Sequence, residues 1–152
     1  MKRACACVLL PLVAAICVAG QQPPLKITVQ QLLATPKKFV DKQVDVIGYY
    51  RSGDEDSSLL ADARAAKEPW STDNSIWLEP DIWDPRYHSH KSANIADPGD
   101  VTDRIIRVIG TFHYREIISA DLRTGRRAVL AYGHMGVWSR AITEITYLRP
   151  AK

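Results

Sequence analysis

The sequence predicts a mainly β chain, a small and partly closed β-barrel entered through a short N-terminal helix. Three observations carry this. Residues 43–51 alternate with the period of two that a strand requires, and 104–114 and 140–149 read as a second long strand and a closing strand. Apolar residues at helical spacing, i, i+3 and i+4, appear at Val29, Leu32 and Leu33. A motif of the form apolar, charged, Val, Ile, Gly, with an aromatic residue two places on, occurs at 44–50 and again at 106–112. Each copy places a glycine where a long strand of a small barrel must curl.

Each element has its own reason. Thr28 and Gln31 form a capping box that starts the helix, and Pro36 ends it. Lys37 to Lys42 is a polar turn with Phe39 as a core plug. In the first long strand Val44, Val46, Gly48 and Tyr50 point one way and Asp45, Ile47 and Tyr49 the other. From Ile47 onward both faces are apolar, which predicts burial on both sides. A turn at 52–56 leads to a short strand at 57–61, a helical turn at 62–67 and a strand at 75–79 closed by Pro80. Periodicity is lost over 81–103, a loop long enough for a compact domain to make it the first place to seek a site. After the strand 104–114 comes a hairpin turning at Arg123-Thr124-Gly125-Arg126, a turn at 133–136, and the closing strand 140–149.

Across 152 residues the chain is 46% hydrophobic and 24% charged, which suits one globular domain and argues against a coiled coil, a collagen or a disordered chain. Lys2 and Arg3 precede an uncharged stretch, 4–20, that ends in small residues before Gln21-Gln22-Pro23-Pro24. These are the parts of a secretory signal peptide over 1–20, followed by a linker, 21–26, and a barrel domain, 27–152. The apolar run, broken by Pro11, is shorter than the roughly 20 residues a membrane span needs. Ile16 ahead of Cys17 argues against a lipoprotein, whose acylated cysteine follows a small residue. Cleavage after Gly20 leaves 132 residues with 18 basic and 17 acidic side chains, and removes Cys5, Cys7 and Cys17 together. Thiol chemistry and disulfide stapling go with them. The near-neutral remainder has little field with which to gather nucleic acid. The expected location is therefore outside the cytoplasm, periplasmic or secreted, with no transmembrane anchor after cleavage.

A helix followed by five to seven strands, two of them bent at glycine, suggests a barrel of the OB type. Residues 27–148 resemble a group of small exported bacterial proteins with an OB-like barrel and no assigned activity. The resemblance rests on Leu32, Leu33 and Pro36, on Val44-x-Val46-x-Gly48-Tyr49, on Ile76-Trp77-Leu78, on Val108-x-Gly110-Thr111-Phe112 and on Gly133-His134-Met135-Gly136. It implies a fold and supplies no catalytic residue.

Candidate chemistry is sparse. OB barrels bind sugars and oligonucleotides by stacking on strand faces, and Trp83, Tyr87 and Tyr49 with Arg86 are the best members of such a surface here. Arg51, Arg104, Arg107 and Arg115 are placed to flank it. His88-x-His90 with Asp84 and His134 supplies donor types for zinc, nickel or copper, although the two histidines need a local turn to converge. Asp97, Asp100 and Asp103 recur every third residue without the spacing of a calcium loop. No Gly-x-Ser-x-Gly, P-loop or Gly-x-Gly-x-x-Gly is present, and no cofactor is implied. The sequence thus points to a non-catalytic binding module of the cell envelope, its ligand a glycan or peptide. A metal-dependent hydrolase built from Asp84, His88, His90 and His134 and an envelope assembly or scaffolding subunit are the alternatives.

Overall fold

The computed structural model describes residues 22–53, 56–69, 71–79, 94–116, 132–133 and 136–152. The expected signal peptide and the Arg123 hairpin lie outside them. The described residues contain six strands: β1 Leu25–Thr28, β2 Lys42–Gly53, β3 Asp56–Leu60, β4 Ser75–Leu78, β5 Arg104–Tyr114 and β6 Arg140–Pro150. They run in the order β2-β3-β4-β6-β5, and β5 returns to β2, so five strands close a barrel. Every pair in the ring is antiparallel except β4–β6, which closes it in parallel through Trp77–Ala141 and Leu78–Ile142. β1 lies outside the ring, parallel to β2, with Leu25 opposite Val44 and Thr28 opposite Ile47. Its four residues, Leu-Lys-Ile-Thr, alternate apolar and polar but are too short a run to announce a strand, and pairing with β2 is what makes them one.

The helix Val29–Ala34 begins with the expected box. Thr28 Oγ1 accepts from the Gln31 N–H at 3.2 Å, and Gln31 Oε1 accepts from the Thr28 N–H at 3.0 Å. Two N-terminal donors are satisfied in one exchange. The apolar stripe buries Val29 and Leu32, a 3-10 turn follows at Pro36–Lys38, and Phe39 plugs the core as its position predicts.

Inside the ring Val44, Val46, Tyr50, Leu59, Ile76, Leu78, Ile106, Val108, Phe112, Ile142 and Leu148 form the core. A Cβ added at Gly48 would stand 2.7 Å from the Leu60 carbonyl oxygen, and one at Gly110 would stand 2.6 Å from that of Thr143. Both are closer than real side chains come, so only glycine lets the neighbouring strand approach there. Beside Gly110 the β5–β6 register slips, and β6 carries its extra residues through Glu144 at a φ of 48°. This bulge turns the strand round the barrel.

Within the expected 81–103 loop, residues 94–103 are held against the barrel. Ile95 bridges Leu148, with the Ala96 N–H donating to the Leu148 carbonyl at 2.8 Å and the Leu148 N–H to that of Asn94 at 2.9 Å. One helical turn, Pro98–Val101, follows, with Asp97 accepting from the Gly99 N–H at 3.0 Å and Val101 sealing the core. No helix among the described residues is long and apolar enough to cross a membrane.

Candidate functional site

Strand register assembles one outward face from β1, β2, β5 and β6. Residues directly opposite in paired strands share a face, so side chains form rows across the sheet. One row reads Lys26, Asp45, Ile109, Tyr147, and the next reads Thr28, Ile47, Arg107, Arg149. Tyr49 and Ile105 continue the face one step further. Gln31 and Thr28 on one side, and Asn94 with Pro150 to Lys152 on the other, border these rows to make an open groove of about 960 Å³.

Arg107 organises the floor. Its Nε donates to Asp45 Oδ1 at 2.7 Å and its second guanidinium nitrogen to Oδ2 at 2.8 Å, a bidentate fork. The guanidinium carbon also lies 5.3 Å from the centre of the Tyr147 ring. Asp45 is 8% exposed while Arg107 remains 40% exposed, so the carboxylate is the buried anchor and the guanidinium keeps a face toward the groove. The hydrogen bonds and charge of Asp45 push Arg107 further above its already high value, and it is a fixed cation. Charged residues lining the groove are Lys26, Arg107, Arg149 and Lys152 against Asp45.

The expected burial of both faces of β2 beyond Ile47 is corrected here. Ile47 and Ile105 are each 55% exposed, because their face is the groove side of the sheet, which no further layer of the described residues covers. Tyr49, the one described member of the expected aromatic surface, is half-buried and donates to Asp103 Oδ1 at 3.2 Å. Desolvation first and the Asp103 carboxylate second hold its hydroxyl above the ordinary value, so it stays a donor. Trp83, Tyr87, Arg86, Asp84, His88, His90 and His134 lie outside the described residues. Asp97 and Asp103 spend oxygens on Gly99 and Tyr49, and among the described residues no group of three metal-ligating side chains converges.

A second polar cluster went unseen in the sequence. His113 Nδ1 stands 2.9 Å from Asp41 Oδ1, and Nε2 stands 3.0 Å from Thr143 Oγ1. Hydroxyl, imidazole and carboxylate in series is the order of a nucleophilic triad, but a triad buries its carboxylate and Asp41 is 74% exposed. The arrangement staples the turn before β2 to β5 and β6. Three elements 30 and 72 residues from one another meet there, and no local motif announces them.

The groove residues left a faint signal: Asp45, Arg107 and Arg149 are charged positions on the outward phase of three different strands. Comparison with protein-family models, with curated proteins and with solved structures returned no match.

Proposed function

We propose that this chain is an exported binding module of the OB type, a non-catalytic component of the cell envelope, with its ligand seated in the groove over β1, β2, β5 and β6. The OB reading is supported by connectivity. Counted within the ring, the strands follow the order first, second, third, fifth, fourth and back to first, with the third and fifth parallel, as in OB barrels. Export and kinship with small exported bacterial OB-like proteins rest on the basic-apolar leader and on the glycine strands quoted above.

One observation carries the binding reading. Two rows of outward side chains across four strands form a groove whose central guanidinium is held in place by Asp45 and Tyr147 before any ligand arrives. Preorganisation of that kind lowers the cost of binding. The test is amide chemical-shift mapping of the 15N-labelled protein titrated with a panel of neutral and anionic oligosaccharides and short peptides. Shifts confined to 45–47, 107–109 and 147–149 are expected. Binding that maps elsewhere, or no binding by any member, overturns the reading.

A further inference from the structure

Resting on the groove reading, we propose that the occupant is an anionic glycan, a sugar chain carrying carboxylates that Arg107 and its cationic neighbours hold. Four cationic side chains line the groove against one carboxylate, and that carboxylate is already engaged by Arg107. Four cations less one carboxylate leave as much positive charge on this face as the +3 formal charge of the whole 152-residue chain, so the remainder of the chain is balanced. An anion is the complementary ligand.

The shape of the recognition surface selects among anions. Each floor strand is paired along the rows: β1 to β2, β2 to β5 and β5 to β6. β2 and β5 have a partner on each side over these rows, so their backbone donors are spent in the sheet. Among the described strands β1 pairs with β2 alone, and a peptide adding a strand does so at that outer edge, beside the floor and not over Arg107. Recognition falls to side chains. Lys26, Arg107 and Arg149 offer charge-assisted donors, Thr28, Gln31, Asn94 and Tyr147 are neutral polar groups on the lining, and Ile47 is an exposed apolar surface. Cations for carboxylates, neutral hydrogen-bonding groups for hydroxyls and an aliphatic patch for the C–H face of a ring make the set a uronic-acid chain requires. Three interstrand spacings of about 4.8 Å make the floor roughly 14 Å across, room for two to three sugar units. Because β1 with Gln31 and the segment Pro150 to Lys152 border the floor, a chain reaches Arg107 more readily than a flat bilayer does.

Isothermal titration of the purified full chain with tetragalacturonate, its fully methyl-esterified counterpart, hexaglutamate and anionic lipid vesicles tests the proposal. Tetragalacturonate is expected to bind, weakening with added salt, and the ester to bind at least tenfold more weakly. Arg149→Gln and Lys26→Gln are each expected to weaken tetragalacturonate about tenfold, the value of one charge-assisted hydrogen bond, while Lys37→Gln, away from the groove, leaves it unchanged. Arg107→Lys, which keeps the charge and loses the fork, is expected to weaken binding and also to lower the urea midpoint, because the buried Asp45 loses one of its two donors; its affinity is therefore read under conditions where the variant is fully folded. Equal binding of the ester overturns the anionic proposal and leaves the groove reading standing. Stronger binding of hexaglutamate or vesicles assigns the groove to a peptide or a membrane and overturns the glycan. Binding of none of the four overturns the anionic proposal, and the wider panel of neutral sugars then decides the groove reading by itself.

Discussion

Val46 and Val108 face each other at the centre of a local two-fold axis in the β2–β5 pair. The two copies of the glycine motif run antiparallel about it, so that Gly48 lies opposite Ile106 and Gly110 opposite Val44. Each glycine receives a different neighbour: β3 presses on Gly48 through Leu59 and Leu60, and β6 presses on Gly110 through Ile142 and Thr143. The repeated motif is the imprint of a barrel closing on both sides of one strand pair.

Gly110→Ala and Gly48→Ala are accordingly expected to destabilise the protein by about 1–3 kcal/mol each, because backbone on the neighbouring strand must move. Gly53→Ala, where an added Cβ meets nothing within 4 Å, is the control and is expected to stay within about 0.5 kcal/mol. Urea denaturation of the three variants reads the difference.

Trp138 donates its indole N–H to Ser75 Oγ at 3.0 Å, with both residues buried and 63 positions apart. Ser75→Ala leaves that donor without its acceptor and is expected to cost about 1–3 kcal/mol. In the Trp138→Phe background the same serine substitution is expected to cost less, and a double-mutant cycle measured by thermal or urea unfolding gives the coupling.

Acid titration should separate two aspartates by sign. Asp62 accepts from the Ala65 and Arg64 N–H groups, which hold its carboxyl below the ordinary value. Its contribution to stability is present above the unfolded-state value and fades as pH falls through the lower, folded one. Asp56 is held above the ordinary value by burial, partly opposed by Arg51. Its contribution is present in acid and is lost as pH rises through the folded value. Relative to wild type, Asp62→Asn should therefore lose its disadvantage below about pH 4, whereas Asp56→Asn should grow relatively more stable as pH rises from 3 toward 6. Midpoints measured at half-unit steps decide it, and parallel curves would contradict both assignments.

Lys37 and Glu116 form an ion pair with both side chains mostly exposed. Each raises the charge preference of the other, lifting the lysine and lowering the glutamate. Screening and side-chain entropy offset that gain at a surface, so Lys37→Gln is expected to leave the unfolding midpoint unchanged at physiological salt. The same substitution serves as the control for the groove variants.

Much of the fold was legible along the chain. The capping box at Thr28, the phase of β2 and β5, the extent of β4 and the glycines all follow from local sterics and from a hydrophobic period that one strand displays by itself. Three things were not. β1 is a strand because β2 offers its edge, the turn Pro98–Val101 is hidden in what reads as a polar loop, and the staple of Asp41, His113 and Thr143 joins residues with no shared spacing.

The groove shows the division most clearly. The sequence by itself set Asp45 and Arg107 on the face opposite Val44, Val46 and Val108, because alternation along a strand requires only the strand, whereas Ile47 read as buried and its exposure was decided by the tertiary structure. Which of them stand side by side was decided by register: a slip of one residue in β5 would remove Arg107 from the face, and one in β6 would remove Tyr147 and Arg149. Register is set by the glycine contacts, the β6 bulge and the packed interior acting together. The charge of this site is thus written in four separate segments, and only ring closure brings it to one place.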